Sequence, residues 1–336
     1  MSTTRLFSEV DYSRNGKHYG FLRLPYSTHK SAYGFIPIPV VCIRNGSGPR
    51  VLLIAGNHGD EYEGQVALTK LAREIDPGKV NGRIIMLTAA NLPAALAGRR
   101  TSPLDPGEAG NLNRTFPGAA RGSATSMISH YIDSVLLADT DYVFDFHSGG
   151  SSLMYVPSTE IKRAKDPATT GKAIALTKLF GALVSVIGIT DIPDNLAVAA
   201  RNRGLIHMGT ELGGGGTVSL DALRMVEAGL RRALAHIGVL PDDPSLGAPA
   251  ASRMMEVGGP EYYVYTSEDG VFEPLADLME MVKEGQPAGA IHFPDNPGRE
   301  SIVVPFLRDG LVICKRFPAR TRRGDCLFHL ASDTVA

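Results

Sequence analysis

His58 and Glu61 stand three positions apart in Gly56-Asn57-His58-Gly59-Asp60-Glu61. The run follows a short apolar stretch, residues 51–55, that reads as a buried strand. A His-x-x-Glu spacing at a strand-to-helix turn lets an imidazole and a carboxylate bend to one point. Zinc accepts both donor types, and a catalytic zinc commonly has three protein ligands and one open position. The tetrapeptide alone arises often by chance, so its placement matters. His147 is the leading third donor: it ends the strand read at 142–147 and precedes Ser148-Gly149-Gly150. In parallel sheets catalytic groups gather at the carboxyl ends of strands, and both His58 and His147 are placed there. Asp145 lies two residues before His147 and shares its face of the strand. It either orients that imidazole through the second ring nitrogen or is an ordinary strand-end hydrogen-bonding residue.

Glu211 closes a strand read at 205–211 and precedes Gly213–Gly216. A carboxylate at a strand end beside a metal suits general-base work on an attacking water. The glycines permit close backbone approach to a ligand. They are followed by Thr217-Val218-Ser219, which lacks the Gly-Lys-Ser/Thr ending of a phosphate loop. Neither a dinucleotide fingerprint nor a serine-hydrolase elbow occurs in the chain. Between residues 91 and 123 lies a stretch dense in Gly, Pro and Asn that carries Arg99, Arg100 and Arg114. Long loops of this kind are usually functional. Arginine offers a planar fork for a carboxylate and can polarise a carbonyl, and Asn113 adds an amide donor. Taken singly, these arginines also fit a plain solvated loop.

The elements needed to position these groups are legible as an alternation. Helical spacing covers 62–75, 123–137, 168–180, 195–203 and 220–237, and strand-like runs cover 51–55, 83–88, 142–147, 183–187 and 205–211. Such alternation implies an α/β fold, a mixed and mostly parallel sheet with helices on both faces. Residues 1–45 read as a β extension on this catalytic domain of 46–240, residues 241–252 as a Pro-rich linker, and 253–336 as a small β-rich domain. Val282-Lys283-Glu284-Gly285-Gln286-Pro287 is reminiscent of lipoyl-type folds, but no Met-Lys-Met attachment site is present, so no swinging cofactor is expected. The other histidines receive bland readings. His130 sits in a helical pattern, and His18, His29, His236, His292 and His329 are expected to lack partners. Arg201 is best read as part of a solvated helix end.

The chain has 336 residues, 34 Lys+Arg against 35 Asp+Glu, and three cysteines. The charge balance argues against nucleic-acid binding through bulk positive charge. Three cysteines are too sparse for a disulfide scaffold, and no Cys-x-x-Cys pair exists for a thiolate zinc site. No apolar run approaches the ~20 residues of a membrane span, and the first residues lack a signal-like apolar core. A cytoplasmic protein is expected, with a homo-oligomer possible.

The ordered set His58-x-x-Glu61, Asn113-Arg114, His147 and Glu211 resembles the succinylglutamate desuccinylase/aspartoacylase family of carboxypeptidase A-like zinc hydrolases. The resemblance spans about residues 45–240 and extends to a small β-domain after the linker. It implies one Zn2+ held by His58, Glu61 and His147, with Glu211 as general base and acid. It implies that Arg114, with Asn113, grips the substrate carboxylate, and that Arg100, rather than Arg99, polarises the scissile carbonyl. The strings Gly56–Gly64, Gly110–Gly118, Asp145–Gly150 and Thr210–Gly216 resemble the ectoine-degradation branch, whose members remove acetyl from Nα-acetyl-L-2,4-diaminobutyrate. A small N-acyl amino acid is therefore the expected partner. The rival readings are an aspartoacylase- or desuccinylase-type deacylase, a zinc carboxypeptidase, and a non-catalytic binding protein with a degenerate metal site.

Overall fold

The computed structural model of the chain describes residues 4–188 and 192–334. Residues 189–191 separate the fourth catalytic-sheet strand read from sequence from the helix that follows, and lie outside it. The chain starts with β1 (Phe7–Ser8) and a long hairpin, β2 (Gly16–Pro25) with β3 (Phe35–Asn45). Then come β4 (Arg50–Ala55), α1 (Glu63–Glu74), β5 (Gly82–Leu87), α2 (Leu92–Ala97), α3 (Ala124–Tyr131) and β6 (Tyr142–His147). They are followed by β7 (Leu153–Tyr155), β8 (Ser158–Lys162), α4 (Pro167–Phe180), β9 (Val184–Gly188), α5 (Leu196–Asn202), β10 (Ile206–Glu211) and α6 (Leu220–His236). The C-terminal part is all strands: β11 (Arg253–Val257), β12 (Tyr263–Tyr265), β13 (Gly270–Pro274), β14 (Met281–Val282), β15 (Pro287–His292), β16 (Ile302–Pro305), β17 (Gly310–Arg316), β18 (Arg320–Thr321) and β19 (Cys326–Asp333).

The centre of the main sheet runs β5-β4-β6-β10-β8-β9. β4 is parallel to β5 and β6, β6 to β10, and β8 to β9, while β10 meets β8 antiparallel. This central part of the sheet is thus mixed and mostly parallel, as its alternating sequence predicts. Its strands β4, β5, β6 and β9 are largely apolar because helices cover both faces. One core layer joins Leu53 and Phe144 to α1, α4 and α6, and the opposite layer joins Leu52 and Val143 to α3 and α5. Asp166, Asn195 and Ser219 cap α4, α5 and α6 by accepting from backbone N–H groups one turn on.

Two features differ from the sequence reading. The strand β8, Ser-Thr-Glu-Ile-Lys, was not anticipated, since its one large apolar residue gives no strand signal. The stretch between 91 and 123 carries α2 and two tight turns, Gly107–Gly110 and Leu112–Arg114, rather than a bare loop. The C-terminal strands also join the catalytic sheet directly. β11 pairs in parallel with β9, and β19 with β11, and β17 with both β19 and β7, pair antiparallel. A second sheet, β16-β15-β13-β18, packs through Phe272 and Ile291 into a core shared with Val184 and Val186. Among the described residues no helix is long and apolar enough to cross a membrane.

Candidate active site

β4 and β6 lie side by side with Ala55 opposite Phe146, so the turn leaving β4 and the end of β6 meet at one edge of the sheet. The turn is pinned on two sides. Gln65 Nε2 donates to the Glu61 carbonyl at 2.8 Å and to the Gly59 carbonyl at 3.2 Å. Gly59 N–H donates to the Arg99 carbonyl at 2.9 Å, and a Cβ on Gly59 would lie 2.0 Å from the Ala94 carbonyl carbon. Gly59→Ala is therefore expected to push α2 off the turn, cost at least ~1–3 kcal/mol of stability and lower metal content. Thermal unfolding alongside metal analysis checks both.

His58, Glu61 and His147 converge, with one donor atom of each inside 4.8 Å of the others. Glu61 Oε1 lies 2.7 Å from His58 Nδ1, and Oε2 lies 2.8 Å from His147 Nδ1. The outer ring nitrogens are also engaged. His58 Nε2 faces Asn111 Oδ1 at 3.1 Å, and that oxygen already accepts the Asn113 N–H at 3.0 Å. His147 Nε2 faces Asp145 Oδ2 at 2.9 Å, and Asp145 Oδ1 accepts from Asn57 at 2.7 Å. Asn111 Oδ1 and Asp145 Oδ2 are acceptors, and a proton on each Nε2 satisfies them. In that tautomer each Nδ1 turns a lone pair toward a buried carboxylate oxygen. Acceptor facing acceptor in a buried site calls for a cation between them, and two imidazoles with one carboxylate are a donor set zinc accepts.

The electrostatics say the same. Burial opposes charge on Glu61, yet His58 and His147 hold its carboxyl well below the usual range. Burial also opposes charge on His147, but Asp145 and Glu61 raise its pKa well above the ordinary value, a proton standing where a metal would serve. Burial pushes the His58 pKa down. Asp145→Asn keeps the volume but removes the anionic acceptor for His147. It is expected to weaken metal affinity about 10–100-fold, which a competition titration against a chromophoric chelator would measure.

Glu211 ends β10 opposite His147 and lines the same cavity. Its Oε2 is buried and has no hydrogen-bond partner among the described residues. Burial and the nearby Glu61 push its pKa well above the usual carboxylate range, so it can hold a proton as well as take one. Arg100 reaches in from the α2 side, with Nη1 3.3 Å from His58 Nδ1 and 3.4 Å from Glu61 Oε1. Arg99 contributes its backbone carbonyl to the turn instead. Asn113 Nδ2 lies 3.3 Å from His147 Nε2, while its Oδ1 accepts the first N–H of α5, from Leu196, at 2.9 Å. Arg114 donates Nη1 to the Asn113 carbonyl at 2.7 Å and lines the cavity half-buried. Asp60 turns away from the cluster and accepts from Ser151 N–H and Oγ at 2.8 and 2.7 Å, fixing the loop after His147. The glycines are used here: Gly214 has φ +144°, and a Cβ on it would lie 2.1 Å from the Leu153 carbonyl oxygen.

The catalytic-domain model of the succinylglutamate desuccinylase/aspartoacylase family matches residues 47–237. The chain belongs to that family. It is 36% identical over 329 residues to a protein of Halomonas elongata named N-alpha-acetyl-L-2,4-diaminobutyric acid deacetylase, covering 96% of this chain and 93% of that one. The product-bound structure of the ectoine utilization protein EutE from Ruegeria pomeroyi superposes with a TM-score of 0.93 at 36% identity, covering 98% of this chain and all of that one. A succinylglutamate desuccinylase/aspartoacylase structure from Rhodobacter sphaeroides gives 0.92 at 37% identity, covering 99% of this chain and 100% of that one.

In this family member the cavity, about 390 Å³, extends beyond the His58, Glu61 and His147 cluster into ground that the sequence reading passed over. Glu160 and Lys162 of β8, His207 of β10, Tyr155 of β7, and Tyr263 and His329 of the C-terminal strands line it. The expectation that His329 lacks a partner is corrected. Its Nδ1 lies 3.3 Å from the Tyr155 hydroxyl and its ring stacks on Tyr263 at 4.2 Å. β17 and β19 bring these groups together across a separation that no local pattern records. His292 and His18 are partnered as well, by Glu273 at 2.7 Å and the Asn15 carbonyl at 2.9 Å. Arg201 lines a separate small pocket beside Leu205.

Proposed function

We propose that this chain is a zinc-dependent deacylase that removes acetyl from Nα-acetyl-L-2,4-diaminobutyrate. The observation that carries the chemistry is the pair of Nδ1 atoms aimed at Glu61, each imidazole having an acceptor at its other nitrogen. The likeness to the Halomonas elongata deacetylase over nearly the whole chain supports the substrate. His58, Glu61 and His147 would hold the metal. When bound, zinc supplies Lewis acidity toward the acyl oxygen and makes the attacking water more acidic.

The protein groups perform the rest. Glu211 takes a proton from the attacking water and returns it to the departing amine, a role its unpartnered Oε2 and raised pKa both suit. Arg100, beside the cluster, meets the negative charge that grows on the acyl oxygen. Arg114 and Asn113 receive the α-carboxylate. The Arg114 Nη1 is already spent on the Asn113 carbonyl, which fixes the guanidinium plane and leaves Nη2 for the substrate. Asn113 is braced by α5, so the carboxylate grip and the metal-ligating cluster share one rigid frame.

The deciding assay follows release of the free amino acid by the zinc-loaded protein from Nα-acetyl-L-2,4-diaminobutyrate, Nα-acetyl-L-aspartate, N-succinyl-L-glutamate and a dipeptide panel. The proposal expects the first to have the highest kcat/KM. Faster dipeptide cleavage, or no turnover of any acyl amino acid, would overturn it.

A further inference from the structure

Next to the metal-ligating cluster, the sheet face forms the floor of the cavity. Residues of β6, β10 and β8 lie in rows across it: His147, Glu211 and Ser158 in one, then Asp145, Gly209 and Glu160. The middle position of the second row has no side chain. A Cβ there would lie in ordinary contact, 3.7 Å from His207 Cε1 and from the Glu160 carbonyl oxygen. The gap opens a path from Glu211 toward Glu160. The step from one row to the next is about 6.8 Å, two residues at ~3.4 Å each. A 2,4-diaminobutyrate side chain places its second nitrogen about 5 Å from the first, given bonds near 1.5 Å.

The polar groups at the end of this path are incompletely matched. Among the described residues, the Glu160 carboxylate has one side-chain partner, Lys162 Nζ at 3.1 Å from Oε1. The Glu160 side chain is 38% exposed and lines the cavity, whereas Lys162 is 12% exposed, so the carboxylate and not the ammonium is presented to a ligand. Among the described residues, His207 has no partner for either ring nitrogen, and His329 has none for Nε2. Burial favours the neutral form of both rings, and such imidazoles accept hydrogen bonds from a cation. Orphaned buried nitrogens around an open carboxylate mark a place where a donor-rich group belongs. A primary ammonium brings three donors and no acceptor.

We infer that Glu160, with His207 and His329 around it, forms the subsite that reads a positively charged amino group on the substrate's side chain. This inference rests on the deacylase reading and assigns the residue that sets its side-chain preference. An anionic side chain, such as aspartate's, meets the Glu160 charge and is rejected. An uncharged side chain leaves the imidazole nitrogens without a donor and Lys162 as the carboxylate's side-chain partner.

The test compares kcat/KM for Nα-acetyl-L-2,4-diaminobutyrate and Nα-acetyl-L-2-aminobutyrate, which differ by the side-chain nitrogen. Wild type is expected to favour the first at least tenfold, and Glu160→Gln to lower that ratio at least tenfold. Calorimetry of the zinc-loaded proteins with L-2,4-diaminobutyrate and L-2-aminobutyrate supplies a readout without turnover, and should show the same loss of preference. An unchanged ratio in folded Glu160→Gln, or a wild type that prefers Nα-acetyl-L-aspartate, would overturn the subsite. If no acyl amino acid is turned over, the deacylase reading fails, and calorimetry still decides the subsite. Equal binding of the two amines by wild type would overturn it.

Discussion

Glu211→Gln is expected to fold, to bind one zinc, and to lose about 10²–10⁴-fold in kcat with a much smaller change in KM. The amide is nearly isosteric with the carboxylate, and among the described residues Oε2 makes no hydrogen bond that the change would break. What disappears is the only group at the end of β10 that can take a proton and return it. Glu61 and Asp145 cannot stand in, because their oxygens are committed to the histidines and to Asn57. Metal analysis and circular dichroism separate this result from loss of the site. A variant that keeps its zinc and more than a tenth of wild-type turnover would remove Glu211 from the mechanism.

Removing the metal is expected to have an effect of similar size by a different route. His58→Ala takes away one of the three converging donors and leaves Glu61 facing His147 alone. The variant should hold well below one equivalent of zinc and lose activity by more than the roughly 100-fold typical of an outer partner. Chelation of the wild type should abolish turnover, and added zinc should restore it. A tightly bound metal also stabilises the native state, by about 2.7 kcal/mol when present at a hundred times its dissociation constant. The chelated wild type should therefore melt several degrees lower, whereas His58→Ala should show almost no response to chelator. Full activity after exhaustive chelation would refute the zinc reading.

The parts of the site read from sequence share a cause. His58, Glu61, His147 and Glu211 sit at ends of apolar strands, and an apolar strand announces itself and its end. Asp145 followed from two-residue periodicity, and its bond to His147 Nε2 is the geometry that periodicity allows. The arginines were found through an irregular stretch, although its helix α2, which sets Arg100 against the cluster, was not. The residues passed over lack any such signal. β8 is polar because one face lines a cavity, so nothing in its sequence marks Glu160. His207 lies inside a strand whose end drew the attention. His329 reaches the cavity through pairing between strands far apart in the chain, which no local pattern encodes.

The pairing of β11 with β9 has a consequence for how the polypeptide can be cut. Residues 241–250, between α6 and β11, are largely exposed, while the strands on either side are locked into one ladder and a shared apolar core. The covalent link there is dispensable for holding the halves together. Protease nicking in this stretch should yield two fragments that co-elute and keep turning over substrate. Expressing residues 1–245 and 246–336 as separate chains should reconstitute an active heterodimer. Alone, the first fragment would bare the apolar edge of β9 and aggregate.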